Sequence, residues 1–498
     1  MPLHQRAAQA RTIAALVTIA LTSACSGPAR TASHRSPSPG SVPVFATAPP
    51  VAAPPRVLWR PCAGGSTTRC ASVSVPLDYR HPAGRPLAIA LAEQPAGEPR
   101  RRIGALLFNP GGPGESGVAL LPVITALLPA GLKARFDIVA FDERGTGASN
   151  RLECGPGASA AGSAPLAGLA RSVANACNRK YGSALGLFNT TTAARDLEQI
   201  RAALGIPRLT YLGLSYGTEL GARYAMLFPT HVRAMVLDGA VDPTESLAQQ
   251  ARDEAPAITA SIQHEASTCA ATPTCPLRSD PRGRLTDLAA QLAQRPLPAP
   301  GAGDAQPVTV GDLGTALFFH LTVPSFSTGF DAAVTSALHG NGHQLRQTAL
   351  GLTQDTDGSP LTGVAAAFTC NDSPDRPSQM TVTRLAASLE RRYPLAGETA
   401  VRFLMAPCTY WPRTIDPIAT LSVRGTPPLL VIGTTGDPNT PYGWATRLAS
   451  HLDKSVVLTH VGWGHTWLLN DSGNTCMRAA VITYLVSGRT PAAGTRCG

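Results

Sequence analysis

The chain has 498 residues, 44% of them hydrophobic, with a mean hydropathy near zero. That is ample for one large folded domain with an insertion, and it excludes a disordered or fibrous chain. The formal charge of +10 comes from arginine, since only three of the 42 basic residues are lysine. Apart from Arg100-Arg101-Arg102 the arginines are scattered. They are not interleaved with aromatics, and no nucleic-acid fold signature accompanies them, so a nucleic-acid partner is not expected.

Arg6 and Arg11 precede an apolar run, Thr12 to Leu21, too short to span a bilayer as a mature helix. Residues 1–24 read as a signal peptide. Small residues lead to a cysteine in Leu21-Thr22-Ser23-Ala24-Cys25, the pattern of a bacterial lipoprotein processing site, although Thr22 stands where leucine is usual. The expectation is a lipid anchor on Cys25 that ties the chain to a membrane; secretion after cleavage nearby is the alternative. Residues 25–55, rich in Pro, Ser and Ala, read as a semi-rigid tether. No later stretch is long and apolar enough to span.

The folded part begins near Trp59. Leu58 to Leu91 reads as antiparallel edge strands, with alternation in Ser72-Val73-Ser74-Val75. The apolar strand Ile103–Phe108 runs into Asn109-Pro110-Gly111-Gly112-Pro113-Gly114, whose glycines let backbone approach a substrate. Phe136 to Phe141 is a central strand, followed by the turn Asp142-Glu143-Arg144-Gly145. An amphipathic helix, Thr192 to Leu204, is stopped by Gly205 and Pro207.

Next comes a strand-like run, Arg208 to Gly213, then Gly213-Leu214-Ser215-Tyr216-Gly217, then a helix-like run to Phe228. Strand, sharp turn and helix are the context that gives a Gly-x-Ser-x-Gly pattern chemical meaning, because the turn strains the serine and exposes its hydroxyl above a sheet. Outside that context such a serine is an ordinary helix N-cap. Val232 to Leu237 is a further strand, ending at Asp238. Roughly 190 residues then separate it from the next strand, where a crossover of about a dozen suffices. The excess is expected to be a lid over Ser215, helical in Leu285–Ala293, Val310–Leu321 and Val382–Arg392 and broken by the loop Pro296–Pro307.

Pro427 to Gly433 is a buried strand. It ends in Gly436-Asp437-Pro438-Asn439-Thr440-Pro441. Ser455 to His460 is the following strand, and Gly462-Trp463-Gly464-His465-Thr466-Trp467 the loop after it. A serine nucleophile needs a base and an orienting acid, which in the α/β-hydrolase fold follow it in the order acid, histidine. Asp437 and His465 fit those places. Asp238 is the rival acid, because some hydrolases of this fold place it there, and His460 is the rival base, although a strand-end position suits a packed histidine. The oxyanion hole is expected from the backbone N–H groups of Gly111, Gly112 and Tyr216.

Asn-Pro-Gly-Gly-Pro-Gly (109–114), Phe-Asp-Glu-Arg-Gly-Thr-Gly-Ala-Ser (141–149), Gly-Leu-Ser-Tyr-Gly-Thr (213–218) and Gly-Asp-Pro-Asn-Thr-Pro (436–441) together resemble the secreted tripeptidyl aminopeptidases of actinobacteria, α/β-hydrolase peptidases related to proline iminopeptidases. The resemblance implies Ser215, Asp437 and His465 as the triad. It departs at Trp463, Thr466 and Asn439, where the family more often has small or aliphatic residues, which bears on substrate preference. The fold class expected is α/β: a mostly parallel central sheet with helices on both faces and a large, mainly helical lid inserted before the last two core strands. The core occupies residues 56–245 and 406–498, and the lid 246–405.

Eleven cysteines suit an oxidising compartment. With Cys25 set aside, nearest-neighbour pairing gives Cys62–Cys70, Cys154–Cys177, Cys269–Cys275, Cys370–Cys408 and Cys476–Cys497, although sequence does not fix connectivity. No metal-like Cys/His cluster and no cofactor motif is present. The expected function is a serine peptidase acting on peptide substrates, releasing short peptides from a free N-terminus. A carboxylesterase or lipase on the same triad is the alternative, and a catalytically silent binding lipoprotein a more distant one. A buried substrate ammonium needs a carboxylate; Glu219, Glu245, Asp253, Glu254 and Asp372 are the candidates.

Overall fold

A computed structural model of the chain describes residues 54–62, 67–154, 166–302, 306–326, 329–353 and 362–498. The signal segment, Cys25 and nearly all of the tether lie outside the described residues. Ten strands form one sheet: β1 (Arg60–Pro61), β2 (Arg69–Pro76), β3 (Pro86–Gln94), β4 (Gly104–Asn109), β5 (Phe136–Phe141), β6 (Leu209–Leu214), β7 (Val232–Asp238), β8 (Leu429–Gly436), β9 (Ser455–Trp463) and β10 (Arg496–Cys497). Their spatial order is β1-β2-β3-β5-β4-β6-β7-β8-β9-β10. The first three strands pair antiparallel, as does β3 with β5, and every later pairing is parallel.

The central strands are continuous apolar runs because both faces are covered. In β6, Leu209 and Tyr211 join one core while Leu212 and Leu214 join the other; in β8, Leu429 and Val431 oppose Leu430 and Ile432 in the same way. The helices Thr190–Leu204 and Tyr216–Leu227 cover one face, and Gly117–Leu127 and Thr475–Ser487 the other. Thr190–Leu204 has the ends its sequence requires: the Asn189 side chain accepts from Thr192 N–H, and Gly205 closes it in the left-handed conformation.

Two elements differ from the sequence reading. β9 runs to Trp463, so His460 lies inside the strand rather than at its end. After the insertion there are three strands rather than two, the third being the two-residue β10, which is joined to the helix Thr475–Ser487 through Cys476–Cys497. The other disulfides join Cys62 to Cys70, Cys154 to Cys177, Cys269 to Cys275 and Cys370 to Cys408.

Between β7 and β8 the described residues form eight helices, from Leu247–Ala271 to Gly397–Met405. Among the described residues, no helix is long and apolar enough to cross a membrane. The helix Thr362–Asp372 lies directly on the glycine-rich loop after β4: a side chain on Gly114 would place its Cβ 2.4 Å from a methyl of Val364. The carboxyl ends of β4, β6, β7, β8 and β9 thus converge beneath the insertion, where open parallel sheets bind their ligands.

Candidate active site

Ser215 stands between β6 and its following helix at φ 55° and ψ −124°, a conformation L-residues rarely adopt. The turn is held on both sides. Ser215 N–H donates to Asp238 O at 2.9 Å, and Ser215 O accepts from Thr218 N at 2.8 Å and Thr218 Oγ1 at 2.6 Å. The flanking glycines are steric requirements. A Cβ on Gly213 would lie 2.3 Å from Gly217 O, and one on Gly217 would lie 2.6 Å from Asn109 Oδ1.

Asp437 and His465 meet at the ends of β8 and β9. His465 Nδ1 lies 2.8 Å from Asp437 Oδ2 and 3.1 Å from Oδ1. Asp437 is fixed in turn by Asn439 N at 2.9 Å, Thr440 N at 2.8 Å and Thr440 Oγ1 at 2.9 Å. Hydrogen bonds of this kind hold a carboxylate in one orientation. The imidazole lies over the end of β7: a Cβ on Gly239 would come within 2.9 Å of His465 Cε1. Gly239 follows Asp238, whose carbonyl anchors Ser215. Among the described residues His465 Nε2 is buried and has no hydrogen-bond partner, Ser215 Oγ included.

The two rivals are engaged elsewhere. Asp238 accepts from Trp467 N and Leu468 N, both at 3.1 Å, capping the short helix Trp467–Asn470. Burial pushes its pKa up to about 6. His460 bonds Thr434 Oγ1 at 3.1 Å and Asp471 Oδ2 at 3.0 Å.

The oxyanion loop separates its two glycines. Gly111 N–H donates to the side chain of its own neighbour, Asn109 Oδ1, at 3.0 Å. Gly111 is therefore corrected from donor to turn residue, since its N–H is committed within the loop. Gly112 and Tyr216 line the pocket with Ser215, and the Tyr216 N–H is the first of its helix, where no intrahelical acceptor exists.

With Ser215, Asp437 and His465 so arranged, the comparisons with known proteins are consistent in kind. Residues 104–312 match a family model described as alpha/beta hydrolase fold, and 393–497 one described as TAP-like protein. The chain is 31% identical to "Serine protease Hip1" of Mycobacterium tuberculosis, covering 89% of this chain and 91% of that one. It is 31% identical to "Tripeptidyl aminopeptidase" of Streptomyces lividans, covering 88% and 86%. The chain belongs to the tripeptidyl aminopeptidase-like family of α/β-hydrolases. A further relative, "Carboxylesterase B" of Mycobacterium tuberculosis, is 32% identical and covers 86% of each chain.

In this member of the family the pocket at Ser215 is strongly acidic: Glu219, Glu245, Glu254 and Asp372 all line it. Their partners sort the candidate acids. Asp253 accepts from Trp444 Nε1 at 3.0 Å and is paired with Arg447, and Glu245 is 2.8 Å from Arg447 Nε. Asp372 accepts from Thr190 N at 2.9 Å and Thr190 Oγ1 at 2.8 Å, and burial pushes its pKa up to about 7. Glu219, on the nucleophile helix, makes no side-chain hydrogen bond among the described residues; burial and the neighbouring Asp372 push its pKa well up. Glu254 is only 3% exposed, and among the described residues its buried Oε2 has no partner. Burial, with Asp437 and Asp253 nearby, pushes its pKa well up too.

Four site residues were not singled out from sequence. Thr440 Oγ1 lies 3.1 Å from His465 Nδ1 as well as bonding Asp437. Its position three residues after an aspartate in a Pro-rich turn was a usable signal, since such turns fold onto the aspartate. Asn470 Nδ2 donates to His465 O at 2.6 Å and to Thr322 O at 3.0 Å, and His465 N–H donates to the same Thr322 carbonyl at 2.8 Å. Nothing local marks Thr322 or Asn470. The fourth, Asn109, stood inside a recognised loop but only its glycines drew notice.

Proposed function

We propose that the chain is a serine peptidase that releases short peptides from a free N-terminus. Ser215 attacks the scissile carbonyl while His465 Nε2 takes its proton. Asp437 holds Nδ1–H and stabilises the imidazolium, and Gly112 and Tyr216 N–H receive the oxyanion. His465 then protonates the leaving amine, and water hydrolyses the acyl-enzyme by the reverse transfers. The observation that carries the aminopeptidase reading is the acidic pocket beside Ser215, with the unpartnered Glu254 in its wall. An unpaired buried carboxylate is costly; a substrate α-ammonium is the counter-charge that satisfies it. The family's peptidase relatives support the same reading.

The relative named Carboxylesterase B supports a second reading, ester hydrolysis on the same triad. One peptide p-nitroanilide, free and N-acetylated, separates the two. The proposed enzyme loses most of its kcat/KM on acetylation. Equal rates on both forms, or hydrolysis of esters with no peptide cleavage, would refute it. We also infer export, supported by the amino-terminal pattern and by five disulfides in an oxidised state. Lipidation of Cys25 is part of that proposal, and mass analysis of the mature N-terminus tests it.

A further inference from the structure

The motif Asp142-Glu143-Arg144-Gly145-Thr146-Gly147 takes no part in the chemistry above, yet it holds the oxyanion loop at both ends. Asp142, just past β5, accepts from Ser116 Oγ at 2.7 Å and Val118 N at 3.0 Å, securing the end where the loop enters the helix Gly117–Leu127. Glu143 secures the beginning. It is 1% exposed, and its Oε1 accepts from Asn109 Nδ2 at 2.6 Å. Asn109, wholly buried, uses its other amide atom to take Gly111 N–H.

An amide has one donor end and one acceptor end. Asn109 can accept from Gly111 only while its NH2 faces a group that accepts, and Glu143 is that group. With the amide reversed, its NH2 would confront Gly111 N–H, donor against donor, and the loop would turn. Asn109 Oδ1 also lies against the elbow, within 2.6 Å of where a side chain on Gly217 would begin. The same amide thus touches both halves of the oxyanion hole: the loop bearing Gly112 and the turn bearing Tyr216.

We propose that Glu143 is a positioning residue for the oxyanion hole, acting through Asn109 to commit Gly111 N–H to the loop and leave Gly112 N–H for the substrate. This rests on the serine-hydrolase reading of Ser215 and would hold for a peptidase or an esterase. Burial pushes the Glu143 carboxyl up to about 8, which favours its neutral form more than that of an ordinary carboxyl. A neutral glutamine therefore replaces it closely, presenting its oxygen to Asn109 and its NH2 to Thr146 Oγ1, which lies 3.4 Å from Glu143 Oε2.

The test uses the full chain, with Glu143→Gln, Glu143→Leu and Asn109→Ser measured on one substrate. Loss of one oxyanion donor elsewhere costs about 10²–10³ in kcat, and a misdirected donor should cost somewhat less. Glu143→Leu should lower kcat about 30- to 300-fold with KM changed less than about three-fold, and Glu143→Gln should restore kcat to within about five-fold of the parent. Asn109→Ser should match Glu143→Leu, and the double variant should be no worse than either, because both break one relay. A folded Glu143→Leu with unchanged kcat, a loss confined to KM, or a glutamine no better than leucine would overturn the proposal. Should Glu143→Leu not fold, Asn109→Ser decides, with an unchanged kcat counting against the relay. If no variant of Ser215 affects turnover, the serine-hydrolase reading fails instead, and that outcome is separately visible.

Discussion

Glu254→Gln isolates what the acidic pocket does. The side chain hangs from the helix Leu247–Ala271, is 97% buried and has an unpartnered oxygen in the wall beside Ser215. Glutamine keeps the shape and removes the charge. A hydrogen bond to a charged group is worth about 1.5–3 kcal/mol, and about 1.4 kcal/mol is tenfold. For a substrate with a free N-terminus, kcat/KM should therefore fall about 10- to 150-fold, while the acetylated substrate changes less than about three-fold. Stability supplies a second readout. The folded-state pKa of Glu254 lies above its unfolded value of about 4.3. Its contribution is then fully present below that unfolded value and is lost as pH rises towards the folded one. Glutamine has no proton to lose, so the Tm of Glu254→Gln relative to the parent should climb between pH 5 and pH 8. Equal losses on both substrates, or no loss on either, would refute the ammonium argument. A Tm difference flat with pH would refute the electrostatic account of the residue.

Three further outcomes follow from the geometry. Ser215→Ala should abolish labelling by a fluorophosphonate probe and lower kcat by about 10⁴-fold or more without unfolding the chain; labelling retained in a folded variant would displace Ser215 as nucleophile. Asp437→Asn should cost around 10⁴-fold in kcat by trapping His465 in the wrong tautomer. Asp238→Asn should instead lower Tm, because Asp238 caps the helix Trp467–Asn470, and a reversed order of the two kcat effects would reassign the acid. The ratio of kcat/KM for free over acetylated substrate cancels any pH dependence that the two substrates share. It should rise through pH 7 as Asp372, at about 7, ionises, then fall above about pH 8 as the substrate amine loses its proton. A ratio independent of pH would mean that Asp372 does not face the amine.

The parts legible in the sequence were those that local backbone dictates. A serine forced to positive φ between a buried strand and a helix needs glycines on either side, and Gly213 and Gly217 announce it. Asp437 was readable because it stands in a turn at a strand's carboxyl end, after the serine and before the histidine, the order the fold requires. What was not readable was decided by packing across the chain. Asp253 and Glu254 are adjacent acids on one helix, equivalent in any window of sequence. Successive helical residues point about 100° apart, so one meets Arg447 and Trp444 while the other faces the pocket. The same holds for Gly111 and Gly112, which differ only in which N–H the Asn109 side chain can reach.

The insertion is part of the catalytic frame as well as its roof. His465 is held from three directions: Asp437 and Thr440 at Nδ1, Asn470 at its carbonyl, and Thr322 at its N–H. Thr322 closes the helix Val310–Thr322, well inside the segment between β7 and β8. The base is therefore tied to the inserted helices by its own backbone, and Asn470 doubles the tie by donating to the same Thr322 carbonyl. The backbone of Ser215 is anchored through Asp238 and Thr218, both in the core, while the side chain of Tyr216 beside it packs against Phe368 of the insertion. The insertion that brings Glu254 into the pocket wall also holds the backbone of His465, so in the proposed mechanism substrate selection and proton transfer share one set of helices.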